Sequence, residues 1–206
     1  MDLQTAFRAA IQEASRFDGA TAPNPPVGAA ALDAQGNVLC VRAHQRAGTA
    51  HAEASVLDEL AADGRLDQLH TLIVTLEPCN HQGRTPPCTE AILKAGPRQV
   101  FFGAIDPNPR VAGQGAERLR AAGIPAELVS DASLRRECAE LIRPFAHWAA
   151  TGLPWVVLKT AHRAEPQFSQ ISMIPPAGQK TFTSPASLLL AHQLRRRADA
   201  ILTGSG

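Results

Sequence analysis

Two short stretches hold the residue types that do chemistry: "HAE" at 51–53 and "LEPCNHQGRTPPC" at 76–88. His51, Cys79 and Cys88 offer one imidazole and two thiolates, the donors that zinc prefers. A catalytic zinc is held by three protein ligands and keeps its fourth position for water or substrate. Cys88 follows Pro86-Pro87 and opens a predicted helix, whose N-terminal partial positive charge favours a thiolate. Cys79 is expected just past a strand that Pro78 ends, and His51 at the start of its own helix. Two helix N-termini and one strand end can meet at a point, which is the geometry a three-ligand site requires.

Glu53 lies two residues after His51, in the first turn of the same predicted helix. A carboxylate there can stand beside a metal without ligating it and accept the proton of a water whose pKa zinc lowers to about 7. It can then pass that proton to a ring nitrogen and on to a departing amine. Zinc deaminases divide the labour this way, with His/Cys/Cys on the metal and a Glu outside the ligand set. A closed structural zinc site is the competing reading, and it needs a fourth protein ligand, for which His81 and His44 are the candidates. The spacing is Cys-x8-Cys, wider than the two-residue gap of the common nucleoside-deaminase motif. Cys40 and Cys138 sit in apolar patterns and are expected in the core.

The elements that position these groups follow from periodicity. Leu3, Phe7, Ile11 and Ala14 recur at helical spacing and predict a helix over 3–17. "PNPPVG" (23–28) is a loop, because each proline removes a donor and pushes its predecessor out of the helical region. Strands are predicted at 27–32, 37–43, 71–77, 99–105, 124–129 and 155–161, and helices at 51–62, 88–96, 112–123 and 133–150, the last bent or broken near Pro144. The alternation of strand and helix makes the fold class α/β. A boundary is expected near "TGLP" (151–154), giving a domain over 1–150 and the opening of a second over 151–206. In that second part a helix is predicted from Ser184 to Arg197, then a strand in "AILTGSG" that runs into a glycine loop.

Composition narrows the function classes. The chain has 206 residues, 45% of them hydrophobic, and a formal net charge of +1, so no strong field invites nucleic acid or an anionic membrane. The absence of tyrosine speaks against an aromatic stacking platform for RNA. No run of eighteen apolar residues is present, and the amphipathic, acid-containing N-terminus does not read as a secretory signal. Four cysteines in such a chain fit a reducing cytoplasm and metal or catalytic roles, not a disulfide framework.

"APNPPVG" (22–28), "HQRAGTAHAE" (44–53), "TLEPCNHQGRTPPCTEAI" (75–92) and "DPNPRVAGQG" (106–115) resemble, in order and spacing, the deaminase half of the bacterial bifunctional riboflavin-biosynthesis deaminase/reductase family. The resemblance covers about residues 1–150, and the inter-cysteine loop ending in "GRTPPC" is specific to that family. It implies a cytidine-deaminase-like fold of three layers, α/β/α, with a mixed sheet. It implies Zn2+ as cofactor and a small-molecule substrate, a diamino-pyrimidinone carrying a ribosylamino 5′-phosphate, whose ring 2-amino group water replaces. By the same resemblance Asn24 hydrogen-bonds the pyrimidine and His44 lines the site. His81, Arg84 and Thr85 surround the ribose phosphate, and Asp106 and Asn108 contact ribose or base. A bidentate arginine suits a phosphate. The bland alternative for Asn24, Asp106 and Asn108 is turn formation beside proline.

Residues 151–206 resemble the first part of that family's reductase domain, through "PWVVLKTA" and "TSPASLLLAHQLRRRADAILTGSG". The resemblance places Ala161 near an NADPH cofactor and Arg195 facing the reductase substrate. After Thr160 the chain reads "AHRAEPQFSQ", where the family has a Ser-Leu-Asp-Gly run. A dinucleotide site needs several strand ends and a glycine loop leading into a helix, so no reductase activity is expected of these residues alone. An incomplete second domain would expose apolar surface and favour a homo-oligomer.

Overall fold

The computed structural model describes residues 3–83, 85–109, 112–160, 163–164, 171–172, 178 and 183–203. The chain divides into two units, Met1–Trp155 and Val156–Gly206.

The first unit is built on a five-stranded sheet. Its strands are β1 (Gly28–Leu32), β2 (Val38–Ala43), β3 (Thr71–Val74), β4 (Gln99–Phe102) and β5 (Ala126–Leu128), in the order β2-β1-β3-β4-β5. β1 runs antiparallel to β2 and β3, whereas β3, β4 and β5 are parallel, so the sheet is mixed. Its helices are α1 (Leu3–Ser15), α2 (Ala52–Ala62), α3 (Cys88–Ala95), α4 (Gln114–Ala121), α5 (Ala132–Leu141) and α6 (Arg143–Thr151).

Period-two alternation sends the strand side chains to opposite faces, and each face has its own core. On one, Ala29, Ala31, Leu72, Val74, Val100 and Phe102 pack against Val56 and Leu60 of α2, Ile92 of α3 and Leu119 of α4. On the other, Ala30, Leu32 and Ile73 meet Phe7 and Ala10 of α1 and Leu134 and Cys138 of α5. Central β3 is therefore buried along its whole length, with the apolar run Leu72–Val74 behind Thr71. The result is the α/β/α sandwich with a mixed sheet that the sequence resemblance implied. Small residues set the layer spacing at one point: a Cβ on Gly28 would collide with the carbonyl oxygen of Ala10, so α1 lies directly on the start of β1.

Several expected elements are shorter. The 71–77 strand ends at Val74, and the 99–105 strand at Phe102. Pro78 is thus not what stops the β3 ladder. The chain bends earlier, and the Glu77 side chain turns into the protein to accept backbone hydrogen bonds. The 133–150 helix is two helices, α5 and α6, joined at Ile142 (φ −103°) with Pro144 in the first turn of the second.

In the second unit the described elements are a two-stranded antiparallel pair, β6 (Arg163–Ala164) with β7 (Ile171–Ser172), and α7 (Pro185–Arg196), whose N-cap Ser184 accepts from the Ser187 N–H. Two expected strands are not seen among the described residues. Residues 155–160 form no strand, and Val156 and Leu158 are exposed; 198–203 likewise carries no strand, and Leu202 is exposed. An apolar, β-branched run becomes a strand only when a neighbour completes its ladder, and no described strand pairs with either.

Candidate metal centre and active site

Strand directions decide which loops meet. Because β1 is antiparallel to β3, the proline loop that enters β1 lies at the C-terminal end of β3, where Gly28 N–H donates to Thr75 Oγ1 at 3.0 Å. Because β2 is antiparallel to β1, the exit from β2 into His44 reaches the same end. Cys79 follows β3 there, and the N-termini of α2 and α3 carry His51 and Cys88 to it.

His51 is the N-cap of α2, with extended backbone (φ −71°, ψ 166°), and its side chain does not cap the helix. Its Nδ1 lies 3.3 Å from Cys88 Sγ and 3.7 Å from Cys79 Sγ. The three donor atoms fall within 4.8 Å of one another, and among the described residues no fourth metal-ligating side chain joins them. A tetrahedral zinc with Zn–S of about 2.3 Å and Zn–N of about 2.0 Å separates its ligand atoms by about 3.5–3.8 Å. The donor types and spacing fit such an ion. His51 Nε2 faces Thr85 Oγ1 at 3.5 Å, so Nδ1 is the nitrogen left for a metal.

Cys88 is buried at the first position of α3, and its N–H donates to Cys79 Sγ at 3.3 Å. Hydrogen bonds from Cys88 and His51 hold the Cys79 thiol well below the ordinary range, while Cys79 beside it and burial push Cys88 up. Glu53 is buried in the first turn of α2, and burial foremost, then the negative Cys79, pushes its carboxyl up to about 7.

His44 is buried and lies edge-on to His51, with ring centroids 5.1 Å apart. Its Nδ1 sits 3.0 Å from the Ala50 carbonyl oxygen and so must be the protonated nitrogen. Its Nε2 then accepts from Asn24 Nδ2 at 3.2 Å. That contact fixes the Asn24 amide: NH2 towards His44, Oδ1 free to accept from a ligand. Burial pushes the His44 pKa down, in keeping with a neutral ring. Both His44 nitrogens are thereby engaged, which removes it as a fourth ligand; His81 is exposed and stands outside the donor set.

Beside this cluster opens a cleft lined by Asn24, Gly48, Thr49, His51, His81 and Thr85, among others. Of the residues expected around substrate, Asn24, His81 and Thr85 line it, and His44 backs it through Asn24. Asp106 and Asn108 are outside that lining and form a turn in which Asp106 Oδ1 accepts the Asn108 N–H at 2.8 Å. Arg84 and Ala161 lie outside the described residues. Arg195 is exposed in the last turn of α7, in the second unit.

Sequence reasoning missed Gly48 and Thr49, which the 44–50 loop brings to the cleft, and also Glu77. Buried Glu77 accepts from the backbone N–H groups of Gly113 (2.9 Å), Gly115 (3.1 Å) and Ala116 (3.1 Å). An acid directly before Pro78-Cys79, following an apolar strand, was the available signal.

Comparison with known proteins agrees with this geometry. The family described as the cytidine and deoxycytidylate deaminase zinc-binding region matches residues 1–104. The riboflavin biosynthesis protein RibD of Bacillus amyloliquefaciens is 40% identical over 197 residues, covering 96% of this chain and 50% of that protein. The structure of Acinetobacter baumannii RibD, form 1, superposes with a TM-score of 0.75 at 32% identity over 94% of this chain and 51% of that one. The diaminohydroxyphosphoribosylaminopyrimidine deaminase/5-amino-6-(5-phosphoribosylamino)uracil reductase of Thermotoga maritima gives a TM-score of 0.67 at 36% identity over 74% and 42%. The chain spans about half the length of the relatives it matches. By the family match over its first half and by its fold, this chain belongs to the cytidine and deoxycytidylate deaminase zinc-binding family and resembles the RibD proteins within it.

Proposed function

We propose that residues 1–150 form a zinc-dependent hydrolytic deaminase that converts a diamino-pyrimidinone ribosylamino 5′-phosphate to the corresponding pyrimidinedione and ammonia. The observation that carries this reading is the convergence of His51, Cys79 and Cys88 on one point, with buried Glu53 alongside and an open cleft in front. A zinc ion held by the three donors would supply a water acidified to a pKa of about 7 and a polarising charge at the reacting carbon. Glu53 accepts the proton of the attacking water and delivers it to the adjacent ring nitrogen; it then takes the remaining proton of the added hydroxyl and passes it to the amine, so that the C–N bond breaks to give the carbonyl and ammonia. Asn24 Oδ1 accepts from a ring N–H or amino group and fixes which edge of the pyrimidine faces Glu53. His81, Thr85 and Arg84 bind the ribosyl phosphate, and Asp106 and Asn108 complete the sugar side.

Residues 151–206 are, in this proposal, the start of a reductase-like domain, with Ala161 and Arg195 belonging to an NADPH and substrate site that needs more structure than these residues supply. NADPH oxidation by the chain with the reductase substrate would overturn that part.

The test is ammonia release, with zinc content measured on the same sample. Glu53→Gln should retain zinc and lose roughly a hundredfold or more of the rate, as removal of a general acid–base does. Full activity in a zinc-loaded Glu53→Gln chain would sink the mechanism. The substrate is checked by offering the free nucleoside beside its 5′-phosphate, with Arg84→Ala expected to erase the preference for the phosphate.

A further inference from the structure

We propose that Glu77 and Asn80 are positioning residues that use α4 to fix the Cys79 thiolate in register with Cys88; this rests on the reading of His51, Cys79 and Cys88 as a metal site.

Glu77 is a buried carboxylate, 4% exposed, and among the described residues it forms no ion pair with a basic side chain. Its charge is met by backbone instead. Oε1 accepts from Gly115 and Ala116 N–H at 3.1 Å each, and Oε2 from Gly113 N–H at 2.9 Å, with Asp106 N–H at 3.4 Å. Gly113 is the N-cap of α4 and has no side chain to do the capping, so the cap comes from a residue 36 positions away. The positive end of the helix and the carboxylate attract each other. The contact is close as well as polar: a Cβ on Gly115 would collide with the Pro78 carbonyl oxygen, the group directly before the Cys79 nitrogen.

On the other flank of Cys79, Asn80 Oδ1 accepts from Arg118 Nη1 of α4 at 2.8 Å and from Thr89 Oγ1 of α3 at 2.9 Å. Thr89 is fully buried and adjoins Cys88, and its N–H donates to the Cys79 carbonyl at 3.2 Å. The segment 77–80 is thus held at both ends by one helix and tied to the residue after the second cysteine. Ligating side chains are oriented by such outer contacts, and their loss typically costs 10–100-fold in metal affinity. The same carboxylate also accepts from the Asp106 and Gly113 N–H groups, so one residue links the metal side of the site to both of those positions.

The test measures zinc affinity of the folded chain by chelator competition, together with the thiolate-to-metal charge-transfer band of the Co2+-loaded chain. Glu77→Gln replaces half of the acceptor capacity with an amide donor and should weaken zinc 10–100-fold and shift the Co2+ band. Arg118→Met, on a half-exposed residue whose loss does not threaten folding, should weaken zinc several-fold by releasing Asn80. Asn80→Asp keeps the acceptor and should retain affinity that Asn80→Leu loses. Asp131→Ala is the control: it removes a carboxylate cap from α5, whose Leu134 and Cys138 belong to the core opposite the one that holds α2 and α3, and should leave zinc binding unchanged. Should Glu77→Gln not fold, Arg118→Met and the Asn80 pair decide. Wild-type zinc affinity in Arg118→Met and Asn80→Leu, or an equal loss in Asp131→Ala, would overturn the proposal. A wild-type chain that binds no zinc would instead remove the site reading beneath it.

Discussion

His51, Cys79 and Cys88 come from three segments, and nothing in their local sequence holds them together until the sheet does. Their chemistry was legible because the residue types are rare together and each sits next to a proline or a helix start. The partners were not. That His44 is held neutral, that Asn24 must present its oxygen, and that Thr85 faces His51 Nε2 all follow from contacts between distant segments. Two tests belong at this scale. Asn24→Ala should raise KM for the pyrimidine and lower kcat/KM at least tenfold, since it removes an acceptor and leaves the His44 nitrogen unpaired. Thiol labelling should sort the cysteines. Burial pushes Cys40 up to about 11 and Cys138 up to about 12, and Cys88 is buried, whereas Cys79 is half-buried. With iodoacetamide at neutral pH one thiol should react fast, and saturating zinc should suppress it. Equal labelling of all four would contradict the structure.

At the scale of elements, the helices and strands of the first unit were legible in existence and order, and their ends were not. Apolar runs predicted strands to residues 77 and 105, but the ladders stop at Val74 and Phe102. Periodicity reports burial, and residues 75–77, Gly103 and Ala104 are buried or half-buried without being in a ladder, whereas Ile105 is exposed. The close approach of α1 to β1 predicts that Gly28→Ala costs about 1–3 kcal/mol, measured by urea unfolding, because the added methyl meets backbone that cannot rotate away. Helix and turn caps predict an acid dependence. Asp131 is held below 3.8 by the Leu134 and Ser133 N–H groups, and Asp33 by the Asn37 side chain and neighbouring backbone. A carboxylate whose folded pKa is depressed stabilises the fold above its unfolded pKa and loses that contribution as pH falls through the folded value. The melting temperature should therefore drop as pH falls below 3.8, and the double variant Asp33→Asn, Asp131→Asn should flatten that drop.

At the scale of the whole molecule, the chain contains one unit with two cores and a second whose described elements bury little: Ala191 is the buried residue of α7, while Leu189 and Leu190 are exposed. Leu153, Val156 and Leu158 add an exposed apolar run at 153–158. Exposed apolar side chains of this kind favour association. Light scattering should show masses above 21.8 kDa as concentration rises, and Val156→Lys with Leu158→Lys should return the chain to that mass. An unchanged monomer over the whole range would show that the run is covered in solution. Among the described residues no helix is long and apolar enough to cross a membrane.

By itself the sequence determined the α/β class and singled out His51, Cys79, Cys88 and Glu53 as residues to be brought together, because residue type and period are local properties. Tertiary structure alone decided that a carboxylate at Glu77 caps a helix 36 residues away, that both His44 ring nitrogens are engaged by Asn24 and Ala50, and that 155–160 and 198–203 have no strand partner among the described residues. Hydrogen bonds and ladders are made between segments, and which segments meet is set by strand direction and register, which no single stretch of sequence contains.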